Sequence, residues 1–277
     1  MLASLIITLR ETLEATLIIG IIIGFLNRTG QTKHKKTVWL AAVLAIIASL
    51  IGAWLFKILA GGFTGRAEQL FEGITMIIGA ILLTTMILWM MNQKKMSQEL
   101  EGRVAQQVIK PQDLGLFLLV FVSILREGIE TVIFLGSASL IAQDGNLIGA
   151  ALGIVLAIIF GYLVFTGLMK ANLKMFFNIT SILLILFAAG LVAHGLHEFE
   201  EAGVIPIVME HVWDINPIIN PDGSYPVLHE NGWLGGLFKG LFGYNGNPSL
   251  TEVVSYFTYL LIIIVYIKTK KYKNTGT

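Results

Sequence analysis

The chain has 277 residues, of which 55% are hydrophobic and only 13% charged, with a formal net charge of +1 and no cysteine. With a mean hydropathy of +0.78, this composition excludes an ordinary soluble domain and predicts an all-α protein that crosses a membrane several times. The near-neutral charge gives no reason to expect nucleic acid, and the lack of cysteine excludes disulfides, thiolate metal ligands and redox dithiols.

Seven apolar segments, near residues 2–26, 38–60, 70–91, 114–142, 146–169, 176–198 and 250–267, are predicted to be transmembrane helices. A hydrocarbon core of about 30 Å needs about 20 helical residues, and none of the seven shows the period-two alternation of a barrel strand. The first should be kept as a span rather than removed as a signal, because it lacks a basic leader and carries Arg10 and Glu11 where an apolar core should be.

That first span contains Leu9-Arg10-Glu11-Thr12-Leu13-Glu14, and the fourth contains Leu125-Arg126-Glu127-Gly128-Ile129-Glu130. A charged side chain costs about 2.5–3.5 kcal/mol at a helix centre, so one such motif roughly cancels the insertion energy of its own helix. Ionisable groups at membrane depth mark functional sites by default. On a helix, residues three and four apart share a face, so Glu11 and Glu14 point together, as do Glu127 and Glu130, with Arg10 and Arg126 each four before the second glutamate. If the two helices face each other, four carboxylates meet two guanidiniums, and the remaining negative charge suits a hard cation held by oxygen. The blander alternative is that each arginine neutralises its own carboxylates and the pairs only fasten helices together.

Basic residues in the loops orient the chain. Arg28, Lys33, Lys35 and Lys36 lie after the first span; Lys94, Lys95, Arg103 and Lys110 after the third; Lys170 and Lys174 after the fifth; Lys268, Lys270, Lys271 and Lys273 in the tail. The expectation is an outside amino terminus and a cytoplasmic carboxyl terminus, with lipid contact at the basic loops.

Val43-Leu44-Ala45-Ile46-Ile47 in the second span recurs letter for letter as Val155-Leu156-Ala157-Ile158-Ile159 in the fifth. With the charged motifs in the same order, this predicts a duplication of three spans, inverted in its second copy as in many transporters, plus one accessory helix. The organisation is then a first repeat over 1–92, a cytoplasmic linker over 93–113, a second repeat over 114–202, an extracytoplasmic loop over 203–249, and a seventh helix with a basic cytoplasmic tail over 250–277. Within the long loop, residues 232–238 read as an interfacial segment.

Further acids lie at the expected outer ends. Glu68 and Glu72 begin the third span, and His194, His197, Glu198, Glu200 and Glu201 finish the sixth. They are expected to form a vestibule that concentrates cations, with His194, His197 and Glu201 on one helical face. The rival reading of Glu68 and Glu72 is a solvated first turn favoured by the helix dipole. The methionines Met76, Met86, Met90 and Met91 are expected to be packing residues.

These residues resemble the high-affinity iron permeases of fungi and the related bacterial permeases of the elemental iron uptake type, which carry two Arg-Glu-Gly-Leu-Glu motifs in the first and fourth spans. The likeness covers nearly the whole chain, including the acids of the third span, the His- and Glu-rich end of the sixth, and the late Gly243-Tyr244-Asn245 and Pro248-Ser249. Thr12 and Ile129 depart from the pattern, standing for glycine and leucine. The resemblance implies iron as substrate, with no tightly bound cofactor, and a permease rather than an enzyme. Iron would be collected by Glu68, Glu72, His194, His197, Glu198 and Glu201 and passed to Glu11, Glu14, Glu127 and Glu130, with Arg10 and Arg126 tuning the charge. It also implies an extracytoplasmic oxidase or haem peroxidase partner in the cell membrane. Oxygen ligands without sulfur lean toward ferric iron, but Fe(II) and Fe(III) stay open. The alternatives are an intramembrane metalloenzyme and a proton-coupled carrier of another divalent cation. A di-iron oxidase would be expected to add Glu-x-x-His pairs on neighbouring core helices, and the histidines here lie toward a helix end.

Overall fold

The computed structural model describes residues 2–90, 96–108, 113–142, 147–165, 173–220, 222 and 224–275. Among the described residues there are nine α-helices, one short 3-10 turn and no strand: α1 (Leu2–Arg28), α2 (Lys35–Ala60), α3 (Arg66–Met90), α4 (Met96–Val108), α5 (Leu114–Ala142), α6 (Leu147–Phe165), α7 (Leu173–Glu201), α8 (Trp233–Phe242) and α9 (Leu250–Thr275). Five segments, in α2, α3, α6, α7 and α9, are long and apolar enough to cross a membrane. Helices α1 and α5, with 27 and 29 residues, are also long enough, but the charged motifs interrupt their apolar runs. Lys94, Lys95, Lys110 and Lys170, and the boundary expected at 92/93, fall outside the described residues.

The helices pair crosswise: α1 packs chiefly on α6, α2 on α5, α3 on α7, and α9 on α7, while α1 also meets α5. Close approach is built into the sequence. A Cβ on Gly128 would overlap the side chain of Ser49, and one on Gly153 would overlap Thr8 and stand 2.9 Å from the Leu9 nitrogen. Thr8 Oγ1 lies 3.0 Å from the carbonyl of Ala150, tying α1 to α6.

Two apolar clusters form the core. One gathers Ile7 of α1, Met76, Leu83 and Met86 of α3, Phe134 and Ile141 of α5, and Leu184 and Phe187 of α7. The other gathers Ile22 and Leu26 of α1, Val38 and Ala41 of α2, Val104 of α4, and Leu116, Val120 and Ile124 of α5. Helix α1 therefore runs from the first cluster to the second and α5 from the second to the first, so the two are antiparallel. Residues 10–14 and 126–130 occupy the layer between.

The region expected to be a plain linker over 93–113 contains α4. Met96, Leu100, Val104 and Val108 recur every four residues along it, an apolar stripe that the spacing makes helical; Leu100 and Val104 pack on the second cluster, while Arg28 reaches Glu101 at 2.6 Å. The segment over 232–238 forms α8, closed by Gly243 in the left-handed conformation at φ 67°.

Candidate metal centre

The helical spacing of each motif brings its charges together. In α1, Arg10 Nη1 donates to Glu11 Oε1 at 3.1 Å and Arg10 Nη2 lies 3.2 Å from Glu14 Oε1, with all three residues buried. In α5, Arg126 Nε donates to Glu130 Oε1 at 2.8 Å and lies 3.8 Å from Glu127 Oε1. The antiparallel contact then joins the two turns: one carboxylate oxygen each from Glu11, Glu14 and Glu127 lies within 4.8 Å of the others. Glu130 stays outside that triple, held by Arg126, yet within electrostatic range of Glu11, Glu14 and Glu127.

Glu11 Oε2, Glu127 Oε2 and Glu130 Oε2 are buried without a hydrogen-bond partner. A buried acceptor left unsatisfied is costly, and a cation removes the cost. Two carboxylates holding one divalent ion at about 2.1 Å stand at most about 4.2 Å apart, so small side-chain rotations bring this triple to coordinating distance. The chemistry available is binding and release of a hard or borderline cation, with the guanidiniums competing for the same oxygens.

Sequence reasoning missed one participant. Met86 of α3 is buried and its sulfur accepts from Arg10 Nη1 at 2.8 Å. Nothing in its apolar setting separates it from Met76, and both pack in the first cluster as expected. A thioether thus touches the guanidinium that holds two of the three carboxylates.

Of the residues expected in the vestibule, Glu68, Glu72, Glu198 and Glu201 gather where α3 begins and α7 ends. Gln69 donates to Glu201 at 3.0 Å, and Glu198 is within electrostatic range of Glu68, Glu72 and Glu201. His197 Nε2 lies 3.3 Å from Glu201 Oε1. His194 sits two helical turns before Glu201 on nearly the same face, with its Nδ1 3.5 Å from Glu252 Oε1 of α9; His197 Nδ1 lies 3.7 Å from Glu252 Oε2, so His197 touches both Glu201 and Glu252.

Glu200 and Glu252 form a second buried acidic pair that the sequence did not bring forward. Glu252 Oε2 accepts from the Ser249 backbone at 2.8 Å, and the Ser249 hydroxyl accepts from the Glu252 backbone at 3.2 Å, a reciprocal cap on the first turn of α9. Glu200 accepts from Ser249 at 2.7 Å and from Thr251, and Asn245 donates to Glu252 at 3.0 Å. The Ser-x-x-Glu spacing was legible; that Glu200 would reach it across 49 residues was not.

Residues 1–275 match the family described as the iron permease FTR1 family. The chain is 33% identical over 275 residues to the ferrous iron permease EfeU of Escherichia coli O6:K15:H31 (strain 536 / UPEC), covering 96% of this chain and 94% of that one. The same figures hold for the protein of that name from Shigella sonnei (strain Ss046). The ferrous iron permease EfeU of Yersinia pestis is 34% identical over 271 residues, covering 96% of this chain and 92% of its own. No solved structure matches the chain.

Proposed function

The chain belongs to the iron permease FTR1 family, and from that premise we propose that it carries ferrous iron across the cytoplasmic membrane through a site made by Glu11, Glu14 and Glu127. Its relatives are permeases, so it is a multi-pass membrane transporter and not an enzyme. The observation that carries the site is the convergence of those three carboxylates, within 4.8 Å, from two antiparallel helices. The ferrous form is chosen because the relatives are named for it.

Seven spans arranged as an inverted pair of three-helix units, with α9 added, fit the packing. The reciprocal partners α1 with α6 and α2 with α5 are what a twofold exchange of the halves requires, as is the opposite order in which α1 and α5 pass through the two clusters. The basic loops support an outside amino terminus and a cytoplasmic carboxyl terminus. Glu68, Glu72, Glu198 and Glu201, with His197 beside them, draw the cation to the outer end. At the central layer the ion displaces Arg10 from Glu11 and Glu14 and takes up Glu127, while Arg126 keeps Glu130. Movement of one three-helix unit against the other then exposes the ion to the opposite side.

A permease that takes ferrous iron directly needs no oxidase at its mouth, whereas ferric entry would call for the oxidase or haem peroxidase partner implied by the resemblance. The test is uptake of iron into sealed proteoliposomes of the purified chain, with and without ascorbate. We expect saturable uptake with ascorbate, and its loss in Glu14→Ala with insertion unchanged. Uptake that persists in Glu14→Ala, or that needs an added oxidase, overturns the reading.

A further inference from the structure

We propose that Met86 is a positioning residue for iron affinity: its thioether is a second, neutral acceptor for Arg10 that loosens the hold of the guanidinium on Glu11 and Glu14. This rests on the function proposed above and goes beyond it, since it assigns a role on a third helix that carries no charge at the site.

Arg10 is the largest fully buried side chain among the described residues, with no solvent to absorb its donors. Its Nη1 is shared between Glu11 Oε1 at 3.1 Å and Met86 Sδ at 2.8 Å. A carboxylate is a strong acceptor for a guanidinium and a thioether a weak one. Sharing a donor with sulfur therefore withholds part of Arg10 from the carboxylates without adding any negative charge. When iron arrives, Arg10 must give up the oxygens that the metal takes, and a sulfur already in contact gives Nη1 a partner that the metal leaves alone. Met is also unbranched and adaptable, so Sδ can follow a guanidinium that shifts. Its place is fixed by the apolar cluster around it, with Leu83, Ile87 and Phe134. The corresponding arginine of the other motif, Arg126, is 45% exposed and so is not enclosed as Arg10 is.

The experiment compares Met86→Leu, Met86→Ile and Met86→Gln with the parent chain in the ascorbate-supported proteoliposome assay, beside Glu14→Ala. Leu conserves volume and is tolerated by packing, but it removes the sulfur acceptor that competes with Glu11 for Nη1. One net hydrogen bond corresponds to an apparent KM for iron raised about fivefold, with the maximal rate within about twofold and the inserted amount unchanged. Ile should behave as Leu does. Gln, whose amide oxygen restores an acceptor at similar reach, should bring KM back toward the parent value, an order that packing alone would reverse. A parent-like KM in Leu overturns the proposal, as do Leu and Ile values that disagree, or Leu and Gln equally impaired. If Gln fails to insert, the Leu and Ile values decide. If Glu14→Ala still transports, the site itself is misplaced; if Glu14→Ala is inactive while Leu is parent-like, only the role of Met86 falls.

Discussion

Arg10 and Arg126 hold the same place in two near-identical motifs, yet one side chain is 0% exposed and the other 45%. Arg10 contacts both glutamates of its own turn and the sulfur of Met86, whereas Arg126 donates to Glu130 at 2.8 Å and lies 3.8 Å from Glu127. Equal sequence has not given equal surroundings. The α1 motif is enclosed and saturated with contacts, while the α5 motif leaves Glu127 to face across to Glu11 and Glu14 and opens Arg126 to its exterior. A charge pair is costlier to break the more deeply both partners are buried, so the enclosed Arg10 should tolerate removal less well than the half-exposed Arg126.

The largest separation is expected between Arg10→Ala and Arg126→Ala. Removing Arg10 strands two buried carboxylates and should cost about 3–5 kcal/mol of stability; removing Arg126, itself 45% exposed, should cost less. Thermal midpoints of the detergent-solubilised protein, followed by size-exclusion fluorescence, give the comparison, and similar losses in both would erase the distinction drawn here. Next come the glutamates of α5. Glu127→Ala removes a member of the triple and should lower iron affinity by more than about tenfold, while Glu130→Ala, which leaves the triple intact, should do less. Iron titrations of uptake rate resolve the order, and a larger effect at Glu130 would move the site toward Arg126.

Much of this was legible in the chain and some was not. The charges of residues 10–14 and 126–130 stand out because lipid makes them expensive, and helical spacing alone pairs Arg10 with Glu14 and Arg126 with Glu130. The convergence of Glu127 on Glu11 and Glu14 could be expected from facing helices, but the exclusion of Glu130 depends on which carboxylate Arg126 captures. Met86 was hidden because sulfur in an apolar run reads as filler. The contact of His194 with Glu252 was not legible because that glutamate lies 58 residues further along, in a helix that looked accessory. Long-range contacts of this kind leave no periodic trace.

Smaller effects sharpen the contrast between Gly128 and Thr12, its counterpart. Gly128→Ala forces a methyl into Ser49 and should cost about 1–3 kcal/mol, with recovery when combined with Ser49→Gly. Thr12→Gly, which restores the residue usual in the motif, should shift stability by less than about 0.5 kcal/mol and leave uptake unchanged. The same thermal scans report both. A large loss at Thr12 would show that its side chain, and not merely the helix, holds the α1 motif in place.

The charged layer lies between two oily plugs, one around Ile7, Leu83 and Phe134 and the other around Ile22, Val38 and Val120. An ion held in the proposed site would therefore meet an apolar plug on either side, and one must part before it leaves. A membrane that holds a proton gradient would keep it with such a route in place, because protons meet the same two barriers.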